Sequence, residues 1–191
     1  MTVFEILADV AARFEALGIE YTVGGSLASS TWGQMRHTND ADVAIRISKE
    51  IVPKLLAAFA DPYVLSEREI EETLSTTSAF RSVQLLHMDE AFKLDLFILN
   101  DGPYETSELE RSRPVEVLPG VFVRFCAPEN IVIMKLRWFV LGNKVSDRQW
   151  NDIIQVLEVQ SDHLDEAYLH QWANYFDVEG LLQQAQSQAF P

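Results

Sequence analysis

Residues 40–47 read DADVAIRI, in which Ala41, Val43, Ile45 and Ile47 alternate with Asp40, Asp42, Ala44 and Arg46. A period of two sends successive side chains to opposite faces of an extended strand, so one face is apolar and the other carries two carboxylates. The pattern recurs in FKLDLFIL, where Phe92, Leu94, Leu96 and Ile98 alternate with Lys93, Asp95 and Phe97. Strands of this kind are interleaved with helical stretches. Residues 3–17 place Val3, Phe4, Leu7, Val10, Ala11, Phe14 and Leu17 at helical spacing, with Gly18 where a helix stops. The chain therefore reads as α/β, a mixed sheet flanked by helices.

Tyr21 and Val23 alternate in EYTVGG, a short strand ending at Gly24 and Gly25, and a short helix from Ser26 to about Trp32 follows. Ser48 can cap a helix running to about Ala60, which Pro53 makes start late or bend. The runs Phe80–His87 and Phe92–Leu99, separated by MDEA, pair as a hairpin. VEVL and VFVRF form another around Pro119 and Gly120. Beyond Pro128 the pattern turns helical, over roughly 128–141, 147–159, 165–176 and 178–188. The expected organisation is an α/β domain over 1–126 and a C-terminal helical module over 127–191.

Composition removes several classes. No apolar run reaches the roughly 18 residues of a membrane span, and the first residues lack a basic stretch followed by an apolar signal segment, so a cytoplasmic location without membrane contact is expected. The lone Cys126 excludes an intrachain disulfide and a cysteine metal cage, and its place in VFVRFCAP reads as a small buried residue. A net charge of -14 argues against a broad basic surface, so no duplex DNA is expected as partner, although 15 basic residues suffice for one local patch. His87, His163 and His170 lack metal-ligand spacing, and Trp138, Trp150 and Trp172 read as helix core. The acidic residues between 158 and 179 read as a solvated face.

Asp40 and Asp42 leave the same face of one strand with Cα atoms ~6.5 Å apart, a spacing suited to hard divalent cations. Phosphoryl-type transfer commonly uses two such ions, and Mg2+ takes only one or two protein carboxylates beside water and phosphate oxygens. Asp95 is a charge in the middle of a strand, costly in a sheet centre unless paired or coordinating a cation. Two readings of Asp95 are open: partner of the first two carboxylates, or the polar face of an edge strand. Upstream, Gly24, Gly25 and Ser26 give close backbone approach and a helix N-terminus that suits phosphate, or simply a tight strand-to-helix turn.

Taken together, GGSLASSTWGQMRHTNDADVAI resembles the signature of the nucleotidyltransferase superfamily, a small-residue turn followed, after a helix, by an Asp-x-Asp strand. RHTNDAD most resembles the abortive-infection AbiEii and AbiGii type and related toxin–antitoxin nucleotidyltransferases, with a looser likeness to antibiotic nucleotidyltransferases. Asp95 in KLDLFI falls where that superfamily places its third carboxylate. The resemblance implies a nucleotidyltransferase-like sheet and a nucleoside triphosphate held by its phosphates at Gly24, Gly25 and Ser26. It implies Mg2+ or Mn2+ ligated by Asp40, Asp42 and Asp95. A hydroxyl on a protein, RNA or small molecule would attack the α-phosphorus and release pyrophosphate, and Asp95 would complete the metal site or take the hydroxyl proton. Arg36 and His37 would contact phosphate or base.

In the helical half, ENIVIMKLRWF carries Lys135 and SDRQWNDIIQVL carries Arg148 and Asp152. The resemblance implies nucleotide contacts for Lys135 and Arg148. Otherwise Lys135 lays its stem along a packed helix, and Arg148 and Asp152, at i and i+4, form a surface ion pair. Two further readings of the whole chain stand beside the transferase: a catalytically silent nucleotide- or partner-binding module of the same fold, and an unrelated α/β domain with DAD on its surface. The latter expects Asp95 far from Asp40 and Asp42. A protein partner or dimer is compatible with so short a chain.

Overall fold

A computed structural model describes residues 1–190 apart from positions 36, 37, 39, 77 and 79. Over these residues the chain divides into two compact units, Met1–Gly24 with Thr38–Phe125, and Gly25–His37 with Cys126–Pro191.

The first unit is built on a seven-stranded mixed sheet in the order β3-β4-β5-β2-β1-β7-β6. Its strands are β1 Glu20–Val23, β2 Asp40–Arg46, β3 Tyr63–Leu65, β4 Ser82–His87, β5 Phe92–Ile98, β6 Arg113–Leu118 and β7 Val121–Phe125. The two hairpins read from the sequence are present as the antiparallel pairs β4–β5 and β6–β7. β2 lies in the middle, antiparallel to β1 and parallel to β5. Its alternation does what the pattern dictates: Ala41, Val43 and Ile45 are at most 1% exposed, while Asp40, Asp42, Ala44 and Arg46 keep partial access to solvent.

Helix α1, Val3–Ala16, covers β1, β6 and β7. Thr2 and Glu5 close its first turn as a capping box, each side chain meeting the other's backbone N–H. Gly18, at φ +67, ends it in the left-handed conformation that favours glycine. The buried stripe Ile6, Leu7, Val10, Ala11 and Phe14 faces inward. The Phe14 ring lies 5.7 Å from Tyr21 and 5.3 Å from Phe59, and burying such a side chain contributes about 1.5–3 kcal/mol.

Between the strands the structure refines the sequence reading. The helix expected from Ser48 begins as a 3-10 turn over Lys49–Ile51 and becomes α3 at Val52–Ala58, with Pro53 in the first turn, where its missing N–H costs no helical bond. Helices α4, Glu67–Leu74, and α5, Pro103–Glu110, are additional.

The second unit is helical. Helix α2, Gly25–Trp32, packs with α6, Pro128–Leu141, and α7, Asp147–Gln160, while α8, Glu166–Tyr175, and α9, Glu179–Ala189, complete the group. Ile131, Val132, Leu136, Ile153, Val156, Leu169 and Leu182 form its core. Ser146 and Asp165 cap α7 and α8 by accepting from the N–H of Gln149 and Tyr168. Gly33 allows close contact: a Cβ there would stand 2.9 Å from the Ser29 carbonyl oxygen and 3.2 Å from the Val156 nitrogen. Cys126 is fully buried, its carbonyl accepting from Trp32 Nε1 at 2.6 Å. Among the described residues no helix is long and apolar enough to cross a membrane.

Candidate active site

The parallel pairing of β2 with β5 decides where the carboxylates meet. Asp42 lies opposite Asp95 and Asp40 opposite Lys93, so all four side chains emerge on the same partly exposed face of the sheet. Neighbouring strands are about 4.8 Å apart, which makes Asp42 and Asp95 immediate neighbours. β5 is an interior strand between β4 and β2, and Asp95 is 18% exposed; the edge-strand reading of this residue does not apply. Nor does the reading that separates residue 95 from 40 and 42. Asp40 is further oriented by Thr38, whose hydroxyl donates to Asp40 Oδ1 at 2.8 Å.

The glycine turn is tied to the same strand. The Gly24 N–H donates to the Asp42 carbonyl at 2.8 Å, carrying the β1–β2 ladder one step beyond β1. Gly25, next in the chain, has φ +55, in the left-handed region where L side chains are strained, and opens α2. Ser26 follows in the first turn of that helix.

Sequence reasoning does not single out Lys93, yet its ammonium stands on this face beside the carboxylates. Its Nζ stands 2.6 Å from Asp95 Oδ2, with the two side chains 37% and 18% exposed. The hydrogen bond to Asp95 raises the lysine pKa; partial burial pulls it down and is outweighed, and the charges of Asp95, Asp40 and Asp42 raise it further. The signal was present in the sequence. Lys93 and Asp95 are two apart on an alternating strand and must share a face.

The site residues expected in the helical half occupy the second unit. Lys135 is 7% exposed, and its Nζ pairs with Asp152 Oδ2 at 2.7 Å, where Ser29 Oγ also donates at 3.4 Å. Asp152 is thus held by Lys135 from another helix, where the i,i+4 spacing suggests Arg148. Arg148 itself is exposed and lines a cavity of about 430 Å³ with Gln34, Met35, Asn151, Asp152 and Gln155. Arg36 and His37 lie outside the described residues.

Among the described residues, no three His, Cys, Asp or Glu side chains stand close enough together to enclose a metal ion. The donor chemistry nevertheless fits a hard divalent cation. Asp42 and Asp95 are register neighbours, Asp40 shares their face, and Mg2+ asks for only one or two carboxylates. The face already draws a positive charge, that of Lys93, onto Asp95.

The fold defined by this sheet is nucleotidyltransferase-like. The sequence matches no family model and no curated protein. Solved structures do match. An antigenic nucleotidyltransferase-like protein from Paracoccidioides brasiliensis has a TM-score of 0.56 at 15% identity, covering 96% of this chain and 91% of its own. The structure of ANT(2")-Ia in complex with adenylyl-2"-tobramycin has a TM-score of 0.59 at 13% identity, covering 93% of this chain and 98% of its own. JHP933 from Helicobacter pylori has a TM-score of 0.50 at 15% identity, covering 97% and 88%. At these identities the likeness is one of fold.

Proposed function

We propose that this chain is a nucleotidyltransferase that moves a nucleoside monophosphate from an NTP to a hydroxyl acceptor. The observation that carries the reading is the register Asp42↔Asp95 on two interior strands, with the Gly24 N–H bonded to the Asp42 carbonyl. Asp40, Asp42 and Asp95 would hold Mg2+ or Mn2+. The bound cations would activate the attacking oxygen and neutralise charge on the leaving group. Gly24, Gly25 and Ser26 receive the triphosphate, the left-handed Gly25 freeing backbone N–H groups at the start of α2. Asp95 would complete the metal site or accept the acceptor's hydroxyl proton as the new O–P bond forms at the α-phosphorus and pyrophosphate departs with the electrons of the broken bond. The nucleotide contacts implied for Arg36, His37, Lys135 and Arg148 belong to the proposal, with Arg148 the exposed member of the described pair.

A small-molecule hydroxyl is one acceptor class, in keeping with the adenylylated tobramycin bound to ANT(2")-Ia. Protein and RNA hydroxyls are the others. RHTNDAD supports an AbiEii-like role in a toxin–antitoxin or phage-defence system. Replacing both Asp40 and Asp42 by Asn should lower transfer from labelled NTP at least about a hundredfold, the equivalent of several kcal/mol of transition-state stabilisation. The far-UV CD spectrum should stay in place and the urea midpoint should not fall, because both side chains lie on the half-exposed face and their charges repel that of Asp95. Undiminished transfer by the double variant would overturn the mechanism.

The Lys93–Asp95 ion pair favours one second reading, a module that binds nucleotide without turnover because its third carboxylate is engaged. Calorimetry with NTP and Mg2+ beside a broad acceptor panel separates the two: binding with no product supports the module.

A further inference from the structure

We infer that Lys93 is a built-in counter-cation of the carboxylate face, holding Asp95 while divalent metal is absent and yielding it when metal binds. The inference rests on the nucleotidyltransferase reading above and adds a positioning residue to that site. The geometry leaves little choice of role. Asp42 and Asp95 are neighbours across two strands, Asp40 is one pleat along, and Lys93 sits opposite Asp40, so one ammonium stands among three carboxylates on a single face. Uncompensated, like charges directly opposite on paired strands destabilise the sheet. With its Nζ 2.6 Å from Asp95 Oδ2, Lys93 supplies that compensation from within the same strand.

The chemistry of the group matters as much as its place. An ammonium is a compact, strongly hydrated point charge on a flexible four-carbon stem, so it can leave Asp95 without moving the backbone of β5. A guanidinium would grip the carboxylate with two parallel hydrogen bonds. The pair is also partly open to water, at 37% and 18% exposure, so it is weak enough to be broken. A metal that needs Asp95 then competes with an internal occupant, and its apparent dissociation constant is the intrinsic one divided by the fraction of time the carboxylate is free.

The test is Mn2+ calorimetry on the full chain, comparing wild type with Lys93→Met, Lys93→Gln, Lys93→Arg and, as a control for net charge, the exposed Lys54→Met. Lys93→Met and Lys93→Gln should bind Mn2+ about fivefold more tightly, the factor matching the strength of a partly exposed pair. Lys93→Arg should bind no more tightly than wild type, and Lys54→Met should match it. In EDTA the two neutral variants should melt below wild type, and Mn2+ should raise their midpoints by more. Unchanged or weaker Mn2+ binding in both neutral variants, or equal tightening in Lys54→Met, overturns the role of Lys93 and leaves the transferase reading standing. Absence of any Mn2+ binding that Asp42→Asn removes, in wild type and both neutral variants, overturns the transferase reading and this inference with it.

Discussion

Replacing Lys135 by Met should unfold the helical unit far more readily than any surface change. Lys135 and Asp152 have side chains 9% and 6% exposed and meet at 2.7 Å, with the Ser29 hydroxyl adding a third polar group at 3.4 Å. Met keeps the length of the lysine stem and removes the charge, taking the ammonium away from a buried carboxylate. Removing one member of a buried ion pair costs about 3–5 kcal/mol. In a chain of this length each kcal/mol moves the midpoint by about 2–4 °C, so the expected fall is roughly 6–20 °C. The double variant Lys135→Met/Asp152→Leu removes both charges and should return to within about 1 kcal/mol of wild type or exceed it. All four tryptophans, Trp32, Trp138, Trp150 and Trp172, belong to the second unit, so urea unfolding followed by tryptophan fluorescence reads that unit directly. A single-variant loss below about 1 kcal/mol at unchanged m-value would refute the argument. The comparison also guards the functional reading: only activity lost in the double variant, once stability is restored, speaks for nucleotide contact by Lys135.

Two other perturbations test the scaffold. Gly25→Ala forces an L side chain into φ +55 and should cost about 1–2 kcal/mol in urea unfolding, whereas Gly25→Asn, which tolerates this region, should cost less. Asp9 sets an acid limit on the first unit: burial alone would raise its carboxyl pKa, but hydrogen bonds from Arg13 Nε at 2.9 Å and Tyr63 Oη at 2.6 Å outweigh it and hold the group below the ordinary range. A depressed folded-state pKa contributes stability above the unfolded Asp value near about 3.9 and loses it as pH falls through the folded value. Stability measured from neutral pH to below pH 4 should therefore decline less steeply in Asp9→Asn than in wild type, and parallel curves would disprove the contribution.

Strands whose alternation is strict, β2 and β5 above all, are legible because a period of two has one structural meaning. Strand β3 is not: three residues, Tyr63–Leu65, carry no period. Helix α4, EREIEETL, escapes for a different reason, being only eight residues long with Ile70 its one buried side chain. In PYETSELE the inward residues Tyr104, Glu108 and Leu109 include a carboxylate, which hides the apolar face of α5. At the candidate site, spacing alone puts Asp40 and Asp42 side by side, but the match of Asp42 to Asp95 is a long-range parallel pairing that no local pattern specifies. The same limit applies to Asp152. Its nearest basic residue along the helix is Arg148, while the ammonium that meets it comes from α6.

The pairing of β2 with β5 ties the grouping of the carboxylates to folding in an unforgiving way. Shifting either strand by a single residue would turn its carboxylates inward among Val43, Ile45, Leu94 and Leu96 and push those side chains into water. A misaligned sheet would thus be unstable and would scatter the carboxylates, so for this molecule quality control of the fold is also quality control of the acidic face.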